Sequence, residues 1–270
     1  FTGEAETLQR WLRALPPGAV QARPFLRLAA AGHFPQLRHP QLVAEELAST
    51  HAPARDGGDD ATTDPLHAAV ARVELLGVRA FVAEACGELE QAATLLLEAL
   101  ALLPATEHGL RWRLLVSLGN AYALEGWLVA AHVVLSASLD AAGDDPVLSY
   151  LSQSYRAWVV LSMGWVEPAR RTFADLCARA EAAGWGDLPL MGEALLGLGA
   201  TLAERGQLRE GLALLERGLA LMRRMGFNAL LIPGELERAR VCRALGQVAE
   251  AQTALASATK VARDFAAPFL

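Results

Sequence analysis

Between residues 65 and 264 apolar side chains recur every three to four positions, the spacing that places one stripe on a helix face. The pattern also repeats at a longer scale. Gly87, Gly126, Gly164, Gly206 and Gly246 follow one another at intervals of 38 to 42 residues. Two positions after each glycine stands an aliphatic residue: Leu89, Leu128, Val166, Leu208 and Val248. Five after comes a small one, Ala92, Ala131, Ala169, Gly211 and Ala251, and nine after an apolar one, Leu96, Leu135, Phe173, Leu215 and Leu255. Upstream of the glycines the spacing is helical, as in Leu114, Leu115, Leu118 and Tyr122, or Leu195, Leu198 and Leu202. Each unit therefore reads as a helical hairpin. The glycine ends helix A in a left-handed cap, a short turn follows, and the small residue lets helix B approach its partner. Asp64-Pro65 and Asp145-Pro146 supply start signals, because Asp caps a helix and Pro suits its first position. The hairpins are expected at about 66–104, 106–143, 145–184, 187–226 and 229–264, with no competing strand pattern.

The chain before the array is different. Gly3 to Leu15, Arg23 to Ala31 and Pro40 to Ser49 predict shorter helices, the first two separated by Pro16-Pro17-Gly18, giving an irregular helical cap over residues 1–50. Residues 51–64 form a flexible acidic loop in this reading, since Ala52 to Asp64 contains no apolar residue larger than Ala. Asp56, Asp59, Asp60 and Asp64 lack the spacing and closing Glu of a calcium loop. Residues 265–270 read as a tail toward a downstream module.

Composition narrows the function. With 53% hydrophobic residues the chain has material for a core, so a disordered class is excluded. The longest stretch without Asp, Glu, Lys or Arg, Gly126 to Leu139, is too short to span a bilayer as a helix, and no membrane partner is expected. The net charge is −6, and Lys260 is the only lysine, which argues against direct nucleic-acid binding. Cys86, Cys177 and Cys242 lie far apart in apolar helical patterns and read as buried thiols of a reducing cytoplasm. The start at Phe1-Thr2-Gly3 suggests a segment of a longer protein without a signal peptide. The histidines at 33, 39, 51, 67, 108 and 132 have no metal-ligand spacing on a helix. No serine sits in a G-x-S-x-G elbow, and no glycine-rich loop carries a phosphate-binding lysine. The expectation is a non-enzymatic segment without metal or cofactor.

Leu118-Gly119-Asn120-Ala121-Tyr122, followed by Gly126 and Ala131, resembles the tetratricopeptide signature, and Leu198-Gly199-Ala200 with Gly206 repeats it loosely. The fold class implied is all-α, a right-handed superhelix of tetratricopeptide-like hairpins with a period of about 40 residues. Before the array, Gly3, Glu6, Leu8, Trp11-Leu12, Leu15-Pro16 and Arg23-Pro24 stand in an order that resembles the MalT-type family of large, ATP-dependent, LuxR-class bacterial regulators. The resemblance implies the superhelical part of such a regulator, which receives an effector and helps control self-association, while the ATPase and helix-turn-helix lie elsewhere. Its partners would be a small-molecule effector or a peptide, other domains of the same regulator, and further copies of itself. The alternative is a generic tetratricopeptide scaffold that binds peptides.

Aligning the repeats by their glycines and applying the tetratricopeptide convention directs Glu74, Phe81, Glu84, Arg113, Asn120, Ser154, Trp158, Glu193, Arg240 and Arg243 toward the concave groove. Trp158, with Asn120 and Arg113, suits a polar ligand held on an aromatic platform; alternatively Trp158 packs into the core. Arg240 and Arg243 either meet an anion or pair with Glu237 and Glu235. Trp11 is read as part of the packing face of the cap. Trp112, Trp127, Trp165 and Trp185 flank turns as wedges between repeats, an exposed one marking a partner surface.

Overall fold

The computed structural model describes residue 14 and residues 65–104, 106–224 and 231–266. The cap expected over 1–50 (apart from Ala14), the 51–64 loop with its Asp64 cap, and the tail from 267 fall outside them. Ten helices form the described chain: α1 Pro65–Ala85, α2 Leu89–Leu102, α3 His108–Leu124, α4 Leu128–Ala142, α5 Pro146–Ser162, α6 Val166–Ala182, α7 Pro189–Glu204, α8 Leu208–Arg223, α9 Leu231–Ala244 and α10 Val248–Ala266. No strand occurs among the described residues. The chain divides into two compact units at Trp127, with α1 to α3 in the first and α4 to α10 in the second.

The five period-setting glycines all sit at the turn from an odd-numbered to an even-numbered helix, with φ between +78° and +83°. Only a residue without a Cβ adopts that backbone cheaply. The turn they make is the same each time. At Gly164 the amide donates to Leu161 O at 2.8 Å and that of Trp165 reaches back to Val160 O at 3.1 Å; at Gly206 the equivalent pair is Ala203 O at 2.9 Å and, from Gln207, Leu202 O at 3.0 Å. These are the paired bonds of a Schellman cap, which satisfies carbonyls the ending helix would leave open. At the start of α5 the expected cap is present: Asp145 Oδ1 accepts from the amides of Val147 and Leu148, both at 2.9 Å, with Pro146 at the first helical position.

The small residue five positions after each glycine is buried in every repeat. In α7 and α8 the approach is closest. A Cβ on Gly211 would stand 2.7 Å from Gly199 O, one on Gly199 2.8 Å from Gly211 O, and one on Gly218 2.8 Å from Gly192 O. Backbone opposes backbone there, so a methyl group has no flexible neighbour to displace. Gly211→Ala is expected to cost about 1 to 3 kcal/mol through overpacking, outweighing the gain of under ~1 kcal/mol in helix propensity. A urea midpoint that rises in this variant would contradict the close approach.

Described residues of the second unit form two apolar clusters. One gathers Tyr150, Phe173, Leu176, Met191 and Leu195, and the other Leu196, Leu215, Leu219, Met222 and Leu231. Gly197 makes room for Phe173, whose ring a Cβ at that position would meet at 2.3 Å. Two sequence expectations need correction, on Cys86 and on the turn tryptophans, and one repeat position, Leu255, departs from the burial seen in the other repeats. Cys86 is exposed rather than buried, because it occupies the turn beside Gly87. In α10 the buried stripe runs through Ala251, Ala254 and Ala258, leaving Leu255 48% exposed. Trp127 and Trp165 are about half-exposed rather than wedged, whereas Trp185 packs edge-on against Tyr150 with centroids 6.0 Å apart.

Candidate functional site

The ten candidate residues fall on odd-numbered helices, five in each unit. In the first unit Glu74, Phe81 and Glu84 lie on α1 and Arg113 and Asn120 on α3, all half-buried. Burial pushes the Arg113 guanidinium down, and the nearby Glu74 charge acts in the opposite direction. Burial raises the Glu84 carboxyl to about 7, so it exchanges its proton near neutrality. Phe81 and Asn120 share these helices.

In the second unit Ser154 and Trp158 lie on α5, Glu193 on α7, and Arg240 and Arg243 on α9. Tyr150, Ser154 and Trp158 are four residues apart and share one face of α5. That face meets α7, and Glu193 is the carboxyl it meets. Glu193 is 4% exposed and Ser154 is fully buried. Burial raises the Glu193 carboxyl to about 8, with the Ser154 hydroxyl favouring its charged form. The two stand close, yet neither Ser154 Oγ nor Glu193 Oε1 has a partner at hydrogen-bonding geometry, and the hydroxyl of fully buried Tyr150 has none either. Unsatisfied buried polar atoms are costly and rare. Both tyrosines feel the carboxyl: burial raises the Tyr150 and Tyr155 phenols, and the Glu193 charge raises them further. The adjacent cation, Arg179, is engaged elsewhere, donating to Gln153 Oε1 at 2.9 Å and lying 3.6 Å from Asp175 Oδ2.

Trp158 is a packing residue. It meets the Phe173 ring edge-on with centroids 5.4 Å apart and touches both apolar clusters, so its platform is largely spent on the core. Arg240 pairs with Glu237 at 2.8 Å, as the sequence suggests, and also with Glu204 one repeat earlier at 2.9 Å. Arg243 is exposed and does not pair with Glu235. Glu235, 1% exposed, is held instead by Arg223, by Arg238 with its Nε at 2.9 Å, and by the Ser257 hydroxyl at 2.9 Å. That buried carboxylate is satisfied, in contrast to Glu193. Among the described residues no group of three or more His, Cys, Asp and Glu is placed to hold a metal ion, and no helix is long and apolar enough to cross a membrane.

Sequence reasoning missed Tyr150 and Tyr155. Their signal was two phenols flanking Ser154 on a helix already assigned to the groove.

The MalT-like TPR region model matches residues 74–269, and the chain belongs to that family. No curated protein sequence matches it. Among solved structures the chain is similar to NprR in complex with its cognate peptide NprX, at 15% identity and TM-score 0.67 over 95% of this chain and 73% of that one. It is also similar to the Rap conjugation gene regulator of plasmid pLS20 in complex with the Phr* peptide, at 14% identity and TM-score 0.64 over 83% and 63%. TPR-like repeats of a Podosopora anserina kinesin light chain match at 21% identity and TM-score 0.50 over 71% and 95%. These likenesses establish an all-α, tetratricopeptide-like repeat fold.

Proposed function

We propose that the chain is the effector-receiving and self-association array of an ATP-dependent, LuxR-class bacterial transcriptional regulator, acting in the cytoplasm. The observation that carries this reading is membership of the MalT-like TPR family across residues 74–269. NprR and Rap, similar in fold, are seen in complexes with peptides, which supports a short peptide or small polar molecule as the occupant of an A-helix face. The α5–α7 face, with unsatisfied polar atoms at Ser154 and Glu193, is the part of the second unit that suits this role. ATP turnover and DNA reading belong to other modules, and this array itself catalyses nothing. To signal, the effector must favour one arrangement of the regulator over another, since equal affinity shifts nothing.

Thermal-shift screening of the chain against sugars, other metabolites and short peptides tests this. A specific effector at a hundred times its Kd stabilises by about 2.7 kcal/mol, a readily measured rise in Tm. Stabilisation by a folded protein partner alone would favour the scaffold reading instead.

A further inference from the structure

Trp165 stands at the N-cap of α6 and is 57% exposed. Two residues further on, Glu167 gathers three arginines. Arg170 donates to both carboxylate oxygens, from Nε at 2.9 Å and Nη2 at 2.8 Å; Arg171 Nε reaches Oε1 at 3.1 Å, and Arg205 Nη1, from the end of α7 one repeat later, reaches Oε2 at 3.1 Å. The hydrogen bonds of Arg170 lead in holding the Glu167 carboxyl down at about 2, so it stays ionised at neutral pH. Three cations around one anion leave the cluster a net +2. Donors are left over as well. A guanidinium presents several N–H groups, yet Arg171 spends only Nε and Arg205 only Nη1, and their side chains are 75% and 48% exposed. Glu204, which precedes Arg205 in the chain, is turned to Arg240 at 2.9 Å. Repeat 2 supplies the contrast: Trp127 is exposed at the matching turn position, but no charged residue occurs between Gly126 and Leu139.

Tryptophan and arginine are the residue types that most often dominate binding at protein interfaces. We propose that this surface of repeats 3 and 4 docks an acidic protein segment, the uncommitted N–H groups of Arg171 and Arg205 taking its carboxylates and Trp165 an adjacent apolar side chain. Charge complementarity selects the partner. The cluster is locally positive, while the chain as a whole carries −6; that balance disfavours a long polyanion such as duplex DNA and suits a short run of Asp and Glu. The surface is formed by a B helix and a turn, not by the A-helix face of the effector reading, so either can fail without the other.

The test is calorimetric titration of the whole chain with a short, blocked peptide of Asp, Leu and Ser, and with its counterpart carrying Asn in place of Asp. The acidic peptide is expected to bind about tenfold more tightly than the neutral one, and to lose that advantage as salt is raised. Arg171→Gln combined with Arg205→Gln should erase the preference. Trp165→Ala should weaken binding about fivefold, and Glu167→Gln, which removes the competing carboxylate, should tighten the acidic peptide. Two controls should bind as the wild type does: Arg79→Gln, which removes an exposed cation from α1, and Trp127→Ala. All the substituted side chains are exposed or partly so, and melting curves check that each variant folds. Equal binding of the two peptides overturns the inference. So does a loss in Arg79→Gln as large as that in Arg171→Gln, weaker binding of the acidic peptide by Glu167→Gln, or tighter binding of a single-stranded oligonucleotide than of the acidic peptide.

Discussion

Glu193→Gln is expected to raise the Tm of the chain at and above pH 8 while leaving it nearly unchanged near pH 4. The sign follows from proton linkage. The folded carboxyl titrates at about 8 and the ordinary value is 4.5, so between those limits the folded state holds a proton that the unfolded chain has released. Stability from this group is fully present below the ordinary value and is lost as pH rises toward the folded one. The loss is on the order of a few kcal/mol once complete. Glutamine keeps the shape and neutrality of the protonated acid and has nothing to release. Glu84, raised to about 7, contributes a smaller loss of the same sign, so a double variant should flatten the profile further. A wild-type curve that runs level from pH 5 to pH 8 while the variant's does the same would mean that Glu193 is charged and solvated in the folded chain.

Trp158→Ala is expected to cost about 3 kcal/mol of stability or more, as removal of a large aromatic from a core does. The residue touches both clusters of the second unit and packs against Phe173, so its loss opens a void that two sets of neighbours share. Phe173→Ala should cost a similar amount. Because the rings are in contact, the double variant should lose less than the two single losses combined. Chemical denaturation with a double-mutant cycle measures this. Effector affinity measured on the same protein separates roles: a stability loss with unaltered affinity makes Trp158 purely a core residue.

What the sequence made legible was whatever a single residue type enforces locally. A left-handed turn demands glycine, so five glycines at one spacing announced five turns, and all five are found. Asp145 before Pro146 announced a helix start for the same kind of reason. The interior of the candidate site was less legible because it depends on which neighbours arrive from other helices. Ser154 and Glu193 were both assigned to one face, but that this face buries them without partners depends on how α5 and α7 pack. Glu235 illustrates the same limit. Arg243 lies two turns away along α9, while Arg238 lies within one, and Arg223 and Ser257 come from other helices. Helical periodicity identifies a residue's own-helix neighbours and is silent about such visitors.

Every cation in the ion pairs among the described residues is an arginine, and Lys260 is the only lysine of the chain. It lies exposed on α10. Acylation of side-chain amines, whether by an acetyltransferase or by a succinimidyl dye, therefore has one address. The helix-to-helix ties, built from guanidinium groups that such reagents leave untouched, would come through labelling intact.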